Sequence, residues 1–225
     1  MSLSNRQYKD AIYEQLARIG KSVASPTRLE LLDLLCQGPR TVEALAQQAG
    51  QTVANTSKHL RLLHGARLVE TERQGTYITY RIAATEVCDL YRSLRTLAES
   101  RLAEIEAISQ DFLLSREVLA AVDSEELVRR LRDGEATLLD VRPREEYEAG
   151  HIKGALSAPI AEFDEILAEL PSDRQIVVYC RGPYCVMSID AVRMLRKRGF
   201  DAVRLEDGVS DWAARGHAVD VSTTY

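Results

Sequence analysis

The sequence predicts two domains of different class: a mostly helical first half that includes a β-hairpin, followed by an α/β second half. Three observations predict this. Up to Gly65, apolar residues recur at helical spacing in four stretches separated by Gly and Pro. Residues 68–82 alternate apolar and polar side chains around Gln74-Gly75. Beyond residue 122, short apolar runs of strand length, Thr137 to Val141 and Gln175 to Tyr179, are interleaved with helical patterns. A chain of 225 residues also fits two compact domains better than one. The boundaries expected are 1–109 for the first domain, 110–121 for a connector and 122–225 for the second.

In the first helix, from about Gln7 to Val23, Tyr8, Ile12, Leu16, Ile19 and Val23 form a one-sided apolar stripe that needs a partner. Ser25-Pro26 marks the next start, with Ser25 as N-cap and proline at the first position, and Gly38-Pro39 stops that helix. Thr41 caps a third, with Val42, Leu45, Ala46 and Ala49 inward and Gly50 at its end. A fourth runs from about Val53 to Gly65, burying Val53, Leu60 and Leu63 and showing Asn55, Thr56, Lys58, His59 and Arg61 outward. Two short helices joined by a tight turn, the second outwardly polar and basic, have the pattern of a helix-turn-helix. The hairpin that follows, Leu68 to Arg73 and Thr76 to Ile82, reads as a wing. Residues 84–109 read as one long helix whose apolar stripe is too broad for a single neighbour. Residues 109–121 lose that rhythm but keep apolar side chains, as a packed connector would. Asp123-Ser124, with Glu125 and Glu126, opens a helix of the second domain. Trp212 is expected to pack the last helix.

The net charge of −5 speaks against nucleic-acid binding until it is divided. Residues 1–82 hold 11 Lys+Arg and 7 Asp+Glu, a balance of +4, and the remainder of the chain carries −9. Positive charge is concentrated where a DNA-contacting module would need it. The absence of an apolar run of membrane-spanning length and of a signal peptide at Met1 to Arg6 points to a cytoplasmic protein with no membrane partner. Four scattered cysteines, Cys36, Cys88, Cys180 and Cys185, do not make a secreted disulfide scaffold. Cys36 and Cys88 are expected to be buried structural residues, although a dithiol sensor is an alternative.

Ala24 to Leu29, Thr56 to Leu63 and Gly75 to Ile82 together resemble the ArsR (arsenic-repressor) family of winged-helix transcriptional repressors over residues 8–108. The resemblance implies a homodimer on a palindromic double-stranded operator, with each recognition helix in a major groove. Carried over by position, Asn55, Thr56, Ser57, Lys58, His59 and Arg61 become the DNA-facing candidates, with Arg73 on the wing. Lys58 and Arg61 can neutralise phosphates, while Asn55, Thr56 and His59 can hydrogen-bond base edges. Thr41-Val42-Glu43 lacks the thiolates of one common metal site of the family. All four histidines, His59, His64, His151 and His217, lie outside the helix that carries the other. No metal and no cofactor is expected.

The second half is organised around Gln175 to Cys185, an apolar run that ends at Cys180, turns through Gly182-Pro183 and reaches Cys185. Met187, Ala191, Met194, Leu195 and Arg198 then recur at helical spacing. Cys180 thus lies between a strand and a helix N-terminus, where loop N–H groups and the helix dipole stabilise a thiolate and lower its pKa. Arg181 is expected to add positive charge beside it. With Leu138 to Ala155 upstream and Leu205 to Trp212 downstream, the pattern resembles the rhodanese domain family from roughly Val122 to Val221. That resemblance implies a parallel sheet with helices on both faces and a sulfur-carrying cysteine at Cys180, within a loop formed by Arg181, Gly182, Pro183, Tyr184, Cys185 and Val186. Asp140 and Arg142, beside Gly150-His151, are read as support for that loop.

The family loop closes with an arginine where this chain has Cys185. The related phosphatase and arsenate reductase loop, one residue longer, has its arginine where this chain has Val186. A bidentate clamp for phosphate or arsenate is therefore missing, and a second thiol stands within reach of a persulfide on Cys180. Two functions follow as expectations. One is a repressor that responds to sulfane sulfur from thiosulfate, polysulfide or a low-molecular-weight persulfide. The other is a sulfurtransferase domain, or less favourably an arsenate reductase, attached to a repressor that senses something else.

Overall fold

A computed structural model describes residues 3–74, 77–118, 120–167 and 170–221. The chain divides into two compact units, Met1–Ser93 and Leu94–Tyr225. The division falls earlier than residue 109, the boundary suggested by the loss of helical rhythm.

In the first unit, α1 (Asn5–Val23) starts at a capping box: the Ser4 hydroxyl accepts the Gln7 N–H, and the Gln7 side chain accepts the Ser4 N–H. Of the stripe read on this helix, Ile19 and Val23 pack on the core, whereas Tyr8, Ile12 and Leu16 stay exposed. Helix α2 (Pro26–Cys36) has proline in its first turn, but the Ser25 side chain makes no capping bond. Its leucines supply Leu31, Leu32, Leu34 and Leu35 to the core. Helix α3 (Val42–Gln48) is capped by Thr41, and α4 (Val53–Gly65) by Thr52, whose hydroxyl accepts the Asn55 N–H. A three-stranded sheet holds β1 (Arg40–Thr41), β3 (Tyr77–Ile82) and β2 (Val69–Gln74) in that order. The hairpin runs antiparallel from Val69 opposite Ile82 to Gln74 opposite Tyr77, and its tip, with Gly75, lies outside the described residues. Leu45, Leu60, Leu63, Leu68 and Val87 close the core.

The expected single helix over 84–109 is two, α5 (Thr85–Arg101) and α6 (Ala103–Leu114). Leu102, at φ −115° and ψ 93°, leaves helical geometry and breaks the run. Apolar periodicity continues across the break, so the pattern alone did not show it.

The second unit is a parallel five-stranded sheet in the order β4 (Ala121–Val122), β9 (Ala202–Leu205), β8 (Gln175–Tyr179), β5 (Ala136–Asp140), β7 (Leu156–Ser157). Strand β8 is flanked on both edges and covered on both faces, which is why its sequence is a continuous apolar run. Ile176, Val178 and Cys180 point to one face, against Ile189, Val192 and Leu195 of α10 (Val186–Lys197). Val177 and Tyr179 point to the other, among Leu127 of α7 (Ser124–Arg132) and Trp212 of α11 (Val209–Ala214). Asp123 caps α7 by accepting the Glu126 N–H at 2.8 Å. Leu113 and Val118 join the first of these cores, so the stretch read as a connector is packed. A separate two-stranded ladder pairs β6 (His151–Ile152) with β10 (Val219–Asp220), and α8 (Arg144–Ala149) precedes β6. Between β7 and β8 lie a 3₁₀ turn, Ile160–Glu162, and α9 (Phe163–Ile166).

Candidate functional site

Strand β8 delivers Cys180 to the C-terminal edge of the sheet, and the chain curls through residues 181–184 so that Cys185 becomes the N-cap of α10. The Cys185 N–H donates to the Gly182 carbonyl at 3.1 Å, closing the turn. This curl brings the two sulfurs together as a Cys180–Cys185 disulfide, with Cα atoms 6.2 Å apart. Cys180 is only 2% exposed, buried beneath the loop, while Cys185 is partly exposed and Tyr184 and Val186 are open to solvent. Cys185 is thus the more exposed of the two cysteines.

Arg181 does not add the expected positive charge beside Cys180. Its guanidinium makes a fork with Glu146 of α8, Nη2 donating to Oε1 at 2.6 Å and Nε to Oε2 at 3.0 Å. With the Arg181 side chain 13% and the Glu146 side chain 5% exposed, the pair neutralises itself inside the unit. The Tyr184 hydroxyl donates to Glu99 at 2.6 Å. Burial, and then this carboxylate, push the Tyr184 pKa upward. Gly182 and Pro183 are partly buried. Gly208 packs against the loop so closely that a Cβ there would lie 2.0 Å from the Arg181 carbonyl oxygen. Only glycine fits.

Asp140 and Arg142, 0% and 1% exposed, form a buried fork under the end of the sheet. Arg142 Nη2 donates to Asp140 Oδ2 at 2.6 Å and to the Gly150 carbonyl at 2.7 Å, and Nε donates to Asp140 Oδ1 at 2.9 Å. The Tyr179 hydroxyl donates to Asp140 Oδ2 at 2.6 Å and accepts the Ile152 N–H at 3.1 Å. Burial alone would depress the Arg142 pKa, but the bonds and charge of Asp140 outweigh it and raise it. Burial, and then the Asp140 charge, raise the Tyr179 pKa. His151 stacks on Tyr147 with ring centroids 3.7 Å apart, and its Nδ1 lies 2.9 Å from the Tyr147 carbonyl. Both of these contacts are with Tyr147 of α8.

The second candidate surface is the polar face of α4. Lys58 and Arg61 are exposed, and Asn55, Ser57 and His59 are partly so. Asn55 Nδ2 donates to Gln51 at 2.8 Å. Thr56 corrects the sequence reading: it is 0% exposed and faces the core, since its helical position groups it with Leu60 and Leu63. It is not available to DNA. Burial, and then the nearby Arg28 and Lys58 charges, hold the His59 pKa below the ordinary imidazole value. Arg73 is exposed on β2.

Cys36 and Cys88, expected as buried structural residues with a dithiol as the alternative, are partly buried and joined as a disulfide between α2 and α5, with Cα atoms 5.8 Å apart. Nothing in the spacing announces this, because the contact is made by packing of helices separated by 52 residues. Sequence reading also missed Glu146, Tyr179 and Glu99 as partners of the loop and its support. Glu146 carries the one usable signal, an acid in the charged stretch just after Arg142-Pro143.

A rhodanese-like domain family matches residues 123–215, and the family of bacterial regulatory proteins named arsR matches residues 25–71. Over 212 residues the chain is 47% identical to the HTH-type transcriptional regulator Rv0324 of Mycobacterium tuberculosis, covering 94% of this chain and 93% of that protein. It is 37% identical over 97 residues to a sulfurtransferase of Allochromatium vinosum, covering 42% of this chain and 89% of that protein. Among solved structures, a homodimeric winged helix-turn-helix DNA-binding domain, a fragment of Mb0332 from Mycobacterium bovis, is 40% identical, with 45% of this chain and 93% of that one covered and a TM-score of 0.42. The chain belongs to the ArsR family of helix-turn-helix transcriptional regulators and carries a rhodanese-like domain in its C-terminal part.

Proposed function

We propose that this regulator is a cytoplasmic, homodimeric repressor of a palindromic operator whose binding responds to sulfane sulfur received at Cys180. The observation that carries the reading is the pair of cysteines joined in one loop, at the end of β8 and the start of α10. Low-molecular-weight thiol opens the disulfide by attack at Cys185, the more exposed of the two cysteines, which releases Cys180 as thiolate. A second thiol attacks the mixed disulfide left on Cys185, releasing Cys185 as thiolate and the low-molecular-weight disulfide. The Cys180 thiolate then attacks the outer sulfur of thiosulfate and expels sulfite, or attacks a polysulfide or persulfide and expels the shorter thiolate. The product is a Cys180 persulfide. The Cys185 thiolate attacks the Cys180 sulfur, re-forms the disulfide and expels hydrosulfide, so the transferred sulfur is reduced as the two thiols are oxidised. The N-terminus of the 12-residue α10 favours the thiolates in each step.

For DNA, the exposed Lys58 and Arg61 supply phosphate contacts, and Asn55, Ser57 and His59 supply base-edge hydrogen bonds, with Arg73 on the wing. Exposed Tyr8, Ile12, Tyr13 and Leu16 of α1, and Leu90 of α5, provide an apolar face suited to a second copy. The test is intact-protein mass spectrometry of the reduced chain after brief exposure to polysulfide. Cys185→Ser should retain the mass of one added sulfur on Cys180, and the wild type should return to the disulfide. No added sulfur on Cys180 in the serine variant would exclude the reading.

The Cys36–Cys88 pair favours a second reading, in which the C-terminal domain is a sulfurtransferase and the repressor responds at its own cysteines. Rapid sulfur transfer to cyanide, lost in Cys180→Ser while operator binding ignores sulfur but follows the redox state of Cys36 and Cys88, would select it.

A further inference from the structure

The loop that holds Cys180 and Cys185 is fixed from outside by the last two turns of α5, a helix that carries none of the rhodanese pattern. Arg95 Nη2 donates to Asp211 Oδ1, and Nη1 reaches Oδ2 at 3.4 Å. The pair is well shielded, with side chains 15% and 7% exposed. Asp211 Oδ2 in turn accepts the Gly208 N–H at 3.2 Å, which sets the first turn of α11. Gly208 is the residue against which the Arg181 carbonyl and the Gly182 N–H are seated. A Cβ on Gly182 would lie 3.7 Å from both Arg95 Nη1 and Asp211 Oδ2. Four residues along α5, one turn away, Glu99 accepts the Tyr184 hydroxyl. One face of α5 therefore grips the sulfur loop at two points, directly at Tyr184 and through Asp211 and Gly208 at Arg181 and Gly182.

Both grips bear on the segment that must rearrange when the disulfide opens. A disulfide between residues five apart fixes the curl of the chain between them, and the dithiol relaxes it. Any contact whose strength differs between the two forms shifts their equilibrium, and the shift is reciprocal.

We propose that Arg95 and Glu99 are positioning residues for the sulfur loop, so that the set of the α5 C-terminal turns and the dithiol–disulfide state of Cys180 and Cys185 are one coupled equilibrium. This deepens the sulfur-responsive reading, on which it rests, by naming the element that feels the state of the loop. It is also the element within which the chain passes from the first compact unit to the second. The coupled reaction is balanced as disulfide plus two glutathione molecules in exchange for dithiol plus glutathione disulfide.

The experiment places the full chain in glutathione redox buffers and measures the dithiol–disulfide constant of the Cys180–Cys185 pair by alkylation and mass spectrometry. Cys36→Ser/Cys88→Ser serves as the background, so that a single pair is read. Arg95→Ala should change the constant about fivefold or more, Arg95→Lys should recover part of the change, and Glu99→Gln and Tyr184→Phe should each shift it in the same direction. If Arg95→Ala does not fold, the Glu99 and Tyr184 variants decide. A constant equal to that of the background in every folded variant would overturn the proposal. Because this readout needs no sulfur donor, it is separable from the failure of Cys180 to take up sulfur, which would sink the functional reading alone.

Discussion

Cys180–Cys185 and Cys36–Cys88 are both disulfides, yet they close segments of very different length, five residues against 52. The short one lies within a single loop between a strand and a helix. The long one joins two helices of the DNA-reading unit. By the chain-entropy account, closing a loop near 50 residues restrains the unfolded chain by about 4 kcal/mol, and closing one near five by about 2 kcal/mol. The loop pair can therefore open and close with less consequence for folding, as the proposed sulfur chemistry requires. The helix pair is tied to the stability of the unit it crosses.

The largest effect is expected beneath the loop, where the comparison would break if the support failed. Arg142→Ala leaves the Asp140 carboxylate buried without its ion-pair partner and should cost about 3–5 kcal/mol in denaturant unfolding of the second unit. A loss below 1 kcal/mol would show that the fork is not what holds the end of the sheet. Next come the cysteines themselves. Under oxidising conditions Cys36→Ser should lower unfolding free energy by about 4 kcal/mol and Cys185→Ser by about 2 kcal/mol. Equal losses would remove the contrast between a structural and a reacting pair.

Smaller effects sharpen the view of the first unit. Lys58→Ala and Arg61→Ala should each reduce the slope of log affinity against log salt by about 0.9 on duplex DNA, whereas Thr56→Val, at a buried site, should leave the slope unchanged. The least effect is expected from pH. His59 is held below the ordinary imidazole value in the free protein, first by burial and then by Arg28 and Lys58. Phosphate nearby favours its protonated form, so binding takes up a proton and affinity rises as pH falls toward the lowered His59 pKa. In His59→Gln that rise should be absent from a titration of affinity against pH.

Local chemistry made much of this legible in sequence. Ser4 to Gln7 aside, the helix starts at Pro26, Thr41 and Asp123 carry their own signals, and the apolar run of β8 announces a strand covered on both faces. The loop was legible because a glycine-proline turn between two cysteines is a local pattern. What escaped was made by packing at a distance. Leu102 breaks a helix whose apolar rhythm continues through it. Thr56 is polar by type but inward by angle. Arg181 looks like a cation for Cys180 until Glu146, from another helix, claims it. The Cys36–Cys88 pair and the Arg95–Asp211 pair bring together residues for which spacing gives no cue.

The central claim is tested most directly by operator affinity. A palindromic duplex selected from a random pool is titrated with reduced protein before and after polysulfide, in wild type and in Cys180→Ser. A change of affinity in the wild type that the serine variant lacks is the expected result, and an equal response in both proteins would contradict it.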